Sequence, residues 1–155
     1  KKLDIMISNA AALGTLGPIH HQINEEFTEV LNINAISNHR LIRSFDSLLK
    51  NSKKPKALFL TSSLASKPKP FWGAYSVSKA ALEHIVKIWA LENKHNNLSI
   101  SIIDPGKTDT PMRKTAMPGE RSTNLNKPVD VAKLIINEIF SDKIYKGEVI
   151  KASNS

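Results

Sequence analysis

The chain has 155 residues, 41% of them apolar and 23% charged, which is enough for one globular domain with one core. It contains no cysteine, so disulfides, thiolate metal sites and a cysteine nucleophile are excluded, and no apolar run is long enough to cross a bilayer. The net charge of +8 raises the question of nucleic acid, but the lysines are spread along the chain and aromatic residues make up only 6%, so stacking platforms interleaved with basic residues are missing.

The chain opens Lys1-Lys2-Leu3, without Met, and reads as a processed chain or a piece of a longer product. "LDIMIS" (3–8) is a short apolar run ending in small residues, the pattern of a buried strand. Gly14, Gly17 and Pro18 then mark a loop. From Asn24 to about Lys50 apolar residues recur every three or four positions, predicting a long helix that carries Phe27, Val30, Leu31, Leu41, Ile42 and Phe45. "KALFLT" (56–61) predicts a second strand. A loop with Pro68 and Pro70 leads to a second long helix, about 73–95. "SISIID" (99–104) predicts a third strand, stopped by Pro105-Gly106. Residues 107–127 read as polar and irregular. A helix over 128–140 starts on Pro128, where a missing N–H costs least, and "GEVIKA" (147–152) predicts a last strand.

Strands alternating with helices imply an α/β fold, a Rossmann-like, doubly wound parallel sheet covered on both faces. In such sheets ligands bind beyond the carboxyl ends of the strands. The residues to inspect are therefore Asn9-Ala10-Ala11, Ser62-Ser63, and Pro105-Gly106 with Thr108 and Thr110.

Tyr75 and Lys79 are four residues apart at the start of the second long helix, on one face and within reach of a shared ligand. A phenol with a pKa near ~10 is a poor proton donor and acceptor at neutral pH. A neighbouring ammonium favours the phenolate and lowers that value, which would let a tyrosine act as general acid for a carbonyl being reduced or base for an alcohol being oxidised. Alone the spacing is a weak signal, because such pairs occur by chance. Ser62 lies 13 residues before Tyr75 at a strand exit, where its hydroxyl could bond the same substrate oxygen; by itself it reads equally as a turn residue. Asn34 faces the core of the first long helix, and a buried amide needs partners.

Taken in order, these segments resemble the short-chain dehydrogenase/reductase family. "SNAA" (8–11) resembles its Asn-Asn-Ala-Gly strand end, "VLNINA" (30–35) the segment with its helical asparagine, and "FLTSS" (59–63) its serine segment. "YSVSK" (75–79) is its Tyr-x-x-x-Lys, and "PGKTDT" (105–110) resembles Pro-Gly-x-x-x-Thr. The match covers roughly residues 3–152. "KPFWGAYSVSKAALE" with "AMPGE" (116–120) is similar to a bacterial branch of YciK-type oxidoreductases.

The resemblance implies an NAD- or NADP-dependent oxidoreductase acting on a carbonyl or alcohol in the cytoplasm, with no metal, no nucleic acid and no membrane. It makes Tyr75 the acid/base, Lys79 the group that lowers the Tyr75 pKa and holds the nicotinamide ribose, and Ser62 (rather than Ser63) the substrate-orienting hydroxyl. Asn34 would support a water-linked proton relay to Lys79. Asn9 and Ala10 would line the adenosine side of the cofactor, and Pro105, Gly106, Thr108 and Thr110 would border the nicotinamide. Residues 107–127 would form the substrate loop of the single domain 1–155. Helices 24–50 and 73–95 would pair with those of a second subunit in a homodimer or tetramer.

One family feature is missing. The family's glycine-rich phosphate turn, Thr-Gly-x-x-x-Gly-x-Gly, does not occur in this sequence. The family's first three strands are also absent, so the fold is expected to be incomplete, with an unpaired apolar sheet edge open to another chain. Two readings stay open: the catalytic portion of an enzyme completed by an N-terminal segment, or an inactive remnant or split-gene fragment without cofactor binding of its own.

Overall fold

The computed structural model describes residues 1–152. Four strands, β1 (Ile5–Ser8), β2 (Lys56–Leu60), β3 (Ser99–Asp104) and β4 (Lys146–Lys151), form one parallel sheet in the order β1-β2-β3-β4. Each pair is parallel and in sequence order, with Ile5 opposite Lys56 and Lys56 opposite Ser99. The helices are α1 (Asn24–Leu31), α2 (Ser37–Lys50), α3 (Gly73–Glu92), α4 (Pro111–Ala116) and α5 (Pro128–Phe140).

Side chains alternate across a strand, so every second residue faces the same layer. Met6, Ala57, Phe59, Ile100 and Ile102 form one face and pack against Ile42 and Leu49 of α2 and Leu82, Val86, Trp89 and Ala90 of α3. The Trp89 indole N–H donates to Asp46 at 2.8 Å and ties the two helices together. The opposite face is joined to α5 by Lys56, whose ammonium donates to the Glu138 carbonyl at 2.8 Å and to the Ser141 carbonyl. There β1 departs from the expected covering of both faces: Ile5 and Ile7 are 40% and 45% exposed. With β1 at the end of the strand order, the expected open apolar edge is present.

Two helical details differ from the sequence reading. The long helix expected over 24–50 is interrupted by a π-helical turn at Asn32–Ile36, centred on Asn34. Residues 107–127 are not wholly irregular. Thr110 accepts from the Arg113 N–H at 3.2 Å and caps α4, Pro111 starts it, and Ser122–Asn124 form a 3-10 turn.

At the other end of the domain, Gly147 takes φ +93° and makes the extra residue of a bulge opposite Ile100 and Ser101. A side chain there would meet Ala90 and Lys87 of α3 at 3.1 and 3.4 Å.

Candidate active site

All four strands run the same way, so the exits of β1, β2 and β3 lie at one end of the sheet. Asn9 and Ala10 leave β1 exposed to solvent. Ser62 leaves β2 in extended backbone and caps the 3-10 turn Ser63–Ala65, its Oγ accepting from the Leu64 N–H at 3.3 Å. Pro105-Gly106 leaves β3 half-buried, with Gly106 in the left-handed region at φ +64°. The Asp104 carboxylate, 2% exposed, accepts from the Gly106 N–H at 3.1 Å and shapes this turn.

α3 presents Tyr75 and Lys79 to the same end. Its first turn packs closely on the loop after β1. The Gln22 side chain accepts from the Ala74 N–H at 3.0 Å, and Gly73 leaves no room for a side chain beside Ile19 and Gln22. The Trp72 ring meets the Tyr75 ring edge-on at 5.9 Å between centroids. Lys79 is buried, lies 5.9 Å from the Tyr75 ring centroid, and donates to the Leu60 carbonyl at 2.8 Å.

The electrostatics of the pair differ from the sequence expectation. Burial pushes the Tyr75 phenol above its ordinary value of 10.0; Ser62, hydrogen bonding to it, works the other way, and the Asp104 carboxylate adds to the rise. Burial also lowers Lys79 from 10.5 to about 8. Desolvation, not the neighbouring ammonium, sets the direction of the phenol's shift.

The structure brings Ser62, Tyr75 and Lys79 together; Ser63 is exposed. The Asn34 side chain is engaged by its neighbours: Oδ1 accepts from the Ala12 N–H at 2.7 Å, and Nδ2 donates to the Ala12 carbonyl at 2.8 Å and to Ser78 Oγ at 2.9 Å. The expected bordering threonines serve the backbone. Thr108 donates to the Pro105 and Gly106 carbonyls, and Thr110 caps α4. Asp104, Asn38 and Ser78 were not singled out from the sequence. Asp104 ends the run "SISIID" at a strand exit, and that position is the signal that could have found it.

The sequence profile of the family described as short chain dehydrogenase matches residues 1–121. The chain belongs to the short-chain dehydrogenase family. A similar relative is the uncharacterized oxidoreductase YciK of Escherichia coli K12, 31% identical over 135 residues, or 87% of this chain. A short chain dehydrogenase structure from Salmonella enterica superposes with a TM-score of 0.93 at 30% identity and covers 98% of this chain. Another from Shigella flexneri, complexed with NADP, superposes with a TM-score of 0.91 at 30% identity over 97% of it. The chain spans 53% of YciK's length and 63% of each of these two structures. Among the described residues no helix is long and apolar enough to cross a membrane, and no group of three or more histidine, aspartate or glutamate side chains is placed to hold a metal ion.

The residues of this short-chain dehydrogenase chain fit one half of a dinucleotide. A buried ammonium, a phenol one turn away and a turn without a side chain at Gly106 are donors and space suited to a ribose and a nicotinamide ring. No glycine-rich turn for the pyrophosphate occurs in the sequence.

Proposed function

We propose that this chain is the catalytic portion of an NAD- or NADP-dependent oxidoreductase acting on a carbonyl or alcohol substrate, with Tyr75 as the acid/base. The observation that carries this reading is the convergence of Ser62, Tyr75 and Lys79 at the strand exits, in a chain similar to a structure complexed with NADP. The nicotinamide, when bound, supplies or accepts the hydride.

The remaining work falls to the chain. Ser62 holds the substrate oxygen beside the phenol and donates to it as negative charge develops. Tyr75 gives its proton to that oxygen. A phenol raised above 10.0 is protonated at neutral pH, so Tyr75 is ready to serve as the acid of a carbonyl reduction; oxidation, which needs the phenolate, gains with rising pH. Lys79 would hold the nicotinamide ribose through the N–H groups not spent on the Leu60 carbonyl and would return a proton to the phenol. Asn9 and Ala10 would line the adenosine side of the cofactor, Pro105, Gly106, Thr108 and Thr110 would border the nicotinamide, and 107–127 would form the substrate loop. Asn34 braces the loop after β1 with its side chain and would support a water-linked proton relay to Lys79.

The phosphate-binding turn would come from a segment beyond these residues, and the open β1 edge is where its strands would pair. Ile36, Val77, Ile88 and Leu91, exposed on and beside α2 and α3, suit pairing with a second subunit. A groove between these helices, lined by His39, Arg43, Asp46, Ile88 and Glu92, lies away from Tyr75 and belongs to that surface. A cytoplasmic setting accompanies this reading.

The test is NADPH-dependent reduction of a panel of aromatic and aliphatic carbonyl compounds, with and without an added N-terminal segment bearing the glycine-rich turn. Tyr75→Phe should lower the rate by about 10²–10⁴-fold. No turnover in either arm, or turnover indifferent to Tyr75→Phe, would favour the remnant reading instead.

A further inference from the structure

A chain of buried hydrogen bonds runs from the end of β1 to the catalytic turn of α3 without touching any reacting atom. The Ser8 hydroxyl donates to Asn38 Oδ1, and Asn38 Nδ2 donates to the Asn34 carbonyl at 2.8 Å. The Asn34 side chain brackets Ala12 on both N–H and carbonyl and donates to Ser78 Oγ at 2.9 Å. Ser78 Oγ in turn donates to the Tyr75 carbonyl at 2.8 Å. Ser8, Asn34, Asn38 and Ser78 are 8%, 0%, 1% and 0% exposed.

The centre of this chain is the π-helical turn Asn32–Ile36, where the regular helical hydrogen-bond ladder is broken. Such a turn needs outside support to persist. Asn38 supplies it, because it lies on the first turn of α2 and reaches back to the Asn34 carbonyl while being held by β1. Asn34 is thereby held with its amide aimed at two places at once: the turn after β1, which carries Asn9 and Ala10, and the helix turn that carries Tyr75 and Lys79. An amide with every donor and acceptor satisfied in a dry interior is directional and stiff.

We propose that Asn38 is a positioning residue which, through Asn34 and Ser78, fixes the spacing between the cofactor-facing turn after β1 and the catalytic turn of α3. The inference rests on the reading of Tyr75 and Lys79 as the working groups, but its test needs no turnover. Ala12 amide exchange reports one end of the chain. The phenol titration of Tyr75 reports the other, observed in a Tyr145→Phe background because the chain has only these two tyrosines.

Asn38→Leu keeps bulk but leaves the Asn34 carbonyl without the Asn38 amide and the Ser8 hydroxyl without its acceptor. It should speed Ala12 amide exchange by about tenfold, the equivalent of one net hydrogen bond, and bring the Tyr75 titration back toward 10.0. Ser78→Ala should do the same at Ala12, although it lies in α3. In a double-mutant cycle the pair should cost clearly less than the sum of the singles. Leu98→Ala, in the core but outside the chain, should lower global stability and leave both reporters unmoved. If Asn38→Leu does not fold, Ser8→Ala, the outermost link, gives the same readings at smaller amplitude. Additive energies, or a Tyr75 titration that moves equally in Leu98→Ala, would overturn the proposal. Coupled reporters in a chain that shows no turnover even with the N-terminal segment added would favour the remnant reading and leave this coupling standing.

Discussion

Replacing Lys79 by methionine removes a buried ammonium whose pKa burial lowers from 10.5 to about 8. At about 1.4 kcal/mol per pKa unit, that depression means the folded chain carries a penalty of about 3 kcal/mol for holding the charge at neutral pH. The unfolded chain keeps the proton to higher pH than the folded one. The penalty is therefore present in full below pH 8 and is relieved as pH rises from about 8 toward 10.5, so the parent gains stability over that window. Methionine keeps the stem and cannot titrate, but it leaves the Leu60 carbonyl without its donor, which offsets about 1–2 kcal/mol. At neutral pH the variant should therefore be the more stable chain by about 1–2 kcal/mol. Urea unfolding of both proteins across the alkaline range measures this directly, because titrations common to both cancel in the difference. The difference should swing by about 3 kcal/mol in the parent's favour. A difference that stays flat within about 0.5 kcal/mol, or swings toward the variant, would show that Lys79 is not held at a burial cost.

Three further expectations follow from other contacts. Lys146 donates to the carbonyls of Asn93, Asn96 and Leu98 at 3.0, 2.8 and 2.9 Å, closing the end of α3 against β3, so Lys146→Met should cost about 2–3 kcal/mol in thermal or urea unfolding. Gly73→Ala would place a methyl 2.4 Å from Ile19 and 2.6 Å from Gln22, disturb the Gln22 bond to Ala74, and cost about 1–3 kcal/mol; a chain as stable as the parent in urea would show that the loop yields freely. Ser62→Ala removes the hydroxyl that opposes the rise of the Tyr75 phenol, so absorbance titration in Tyr145→Phe should find the phenol higher still. In the cofactor-loaded enzyme the same change should lower kcat by about 10²–10³-fold with little effect on cofactor Kd.

The sheet was legible because β2 is a nearly continuous apolar run and β3 carries Ile100, Ile102 and Ile103 among small serines, both short β-branched or apolar stretches bounded by turn residues. The pairing of Tyr75 with Lys79 was legible as spacing, and the strand-exit rule led to Ser62. The direction of the Tyr75 shift was not, because it depends on how much water the fold removes. α4 escaped notice because Met112 and Ala116 are its only apolar residues after Pro111, and six residues carry no periodic signal. The π turn was hidden for a related reason: one extra residue in a helix leaves the surrounding three- and four-residue spacings almost intact.

That extra residue has a consequence for how the chain tolerates length change. Each residue advances an α-helix by about 100°, so the π turn sets α1 and α2 out of phase by roughly that rotation. Deleting any one residue within Asn32–Ile36 would restore an ordinary helix and rotate α1 about its axis relative to α2. Val30, 2% exposed, would leave its pocket, and Asn34 would no longer face Ala12. Surface loops elsewhere can gain or lose residues at little cost. This five-residue stretch cannot, and an alignment gap opened inside it would mark a chain whose Ala12 loop and α3 are no longer joined.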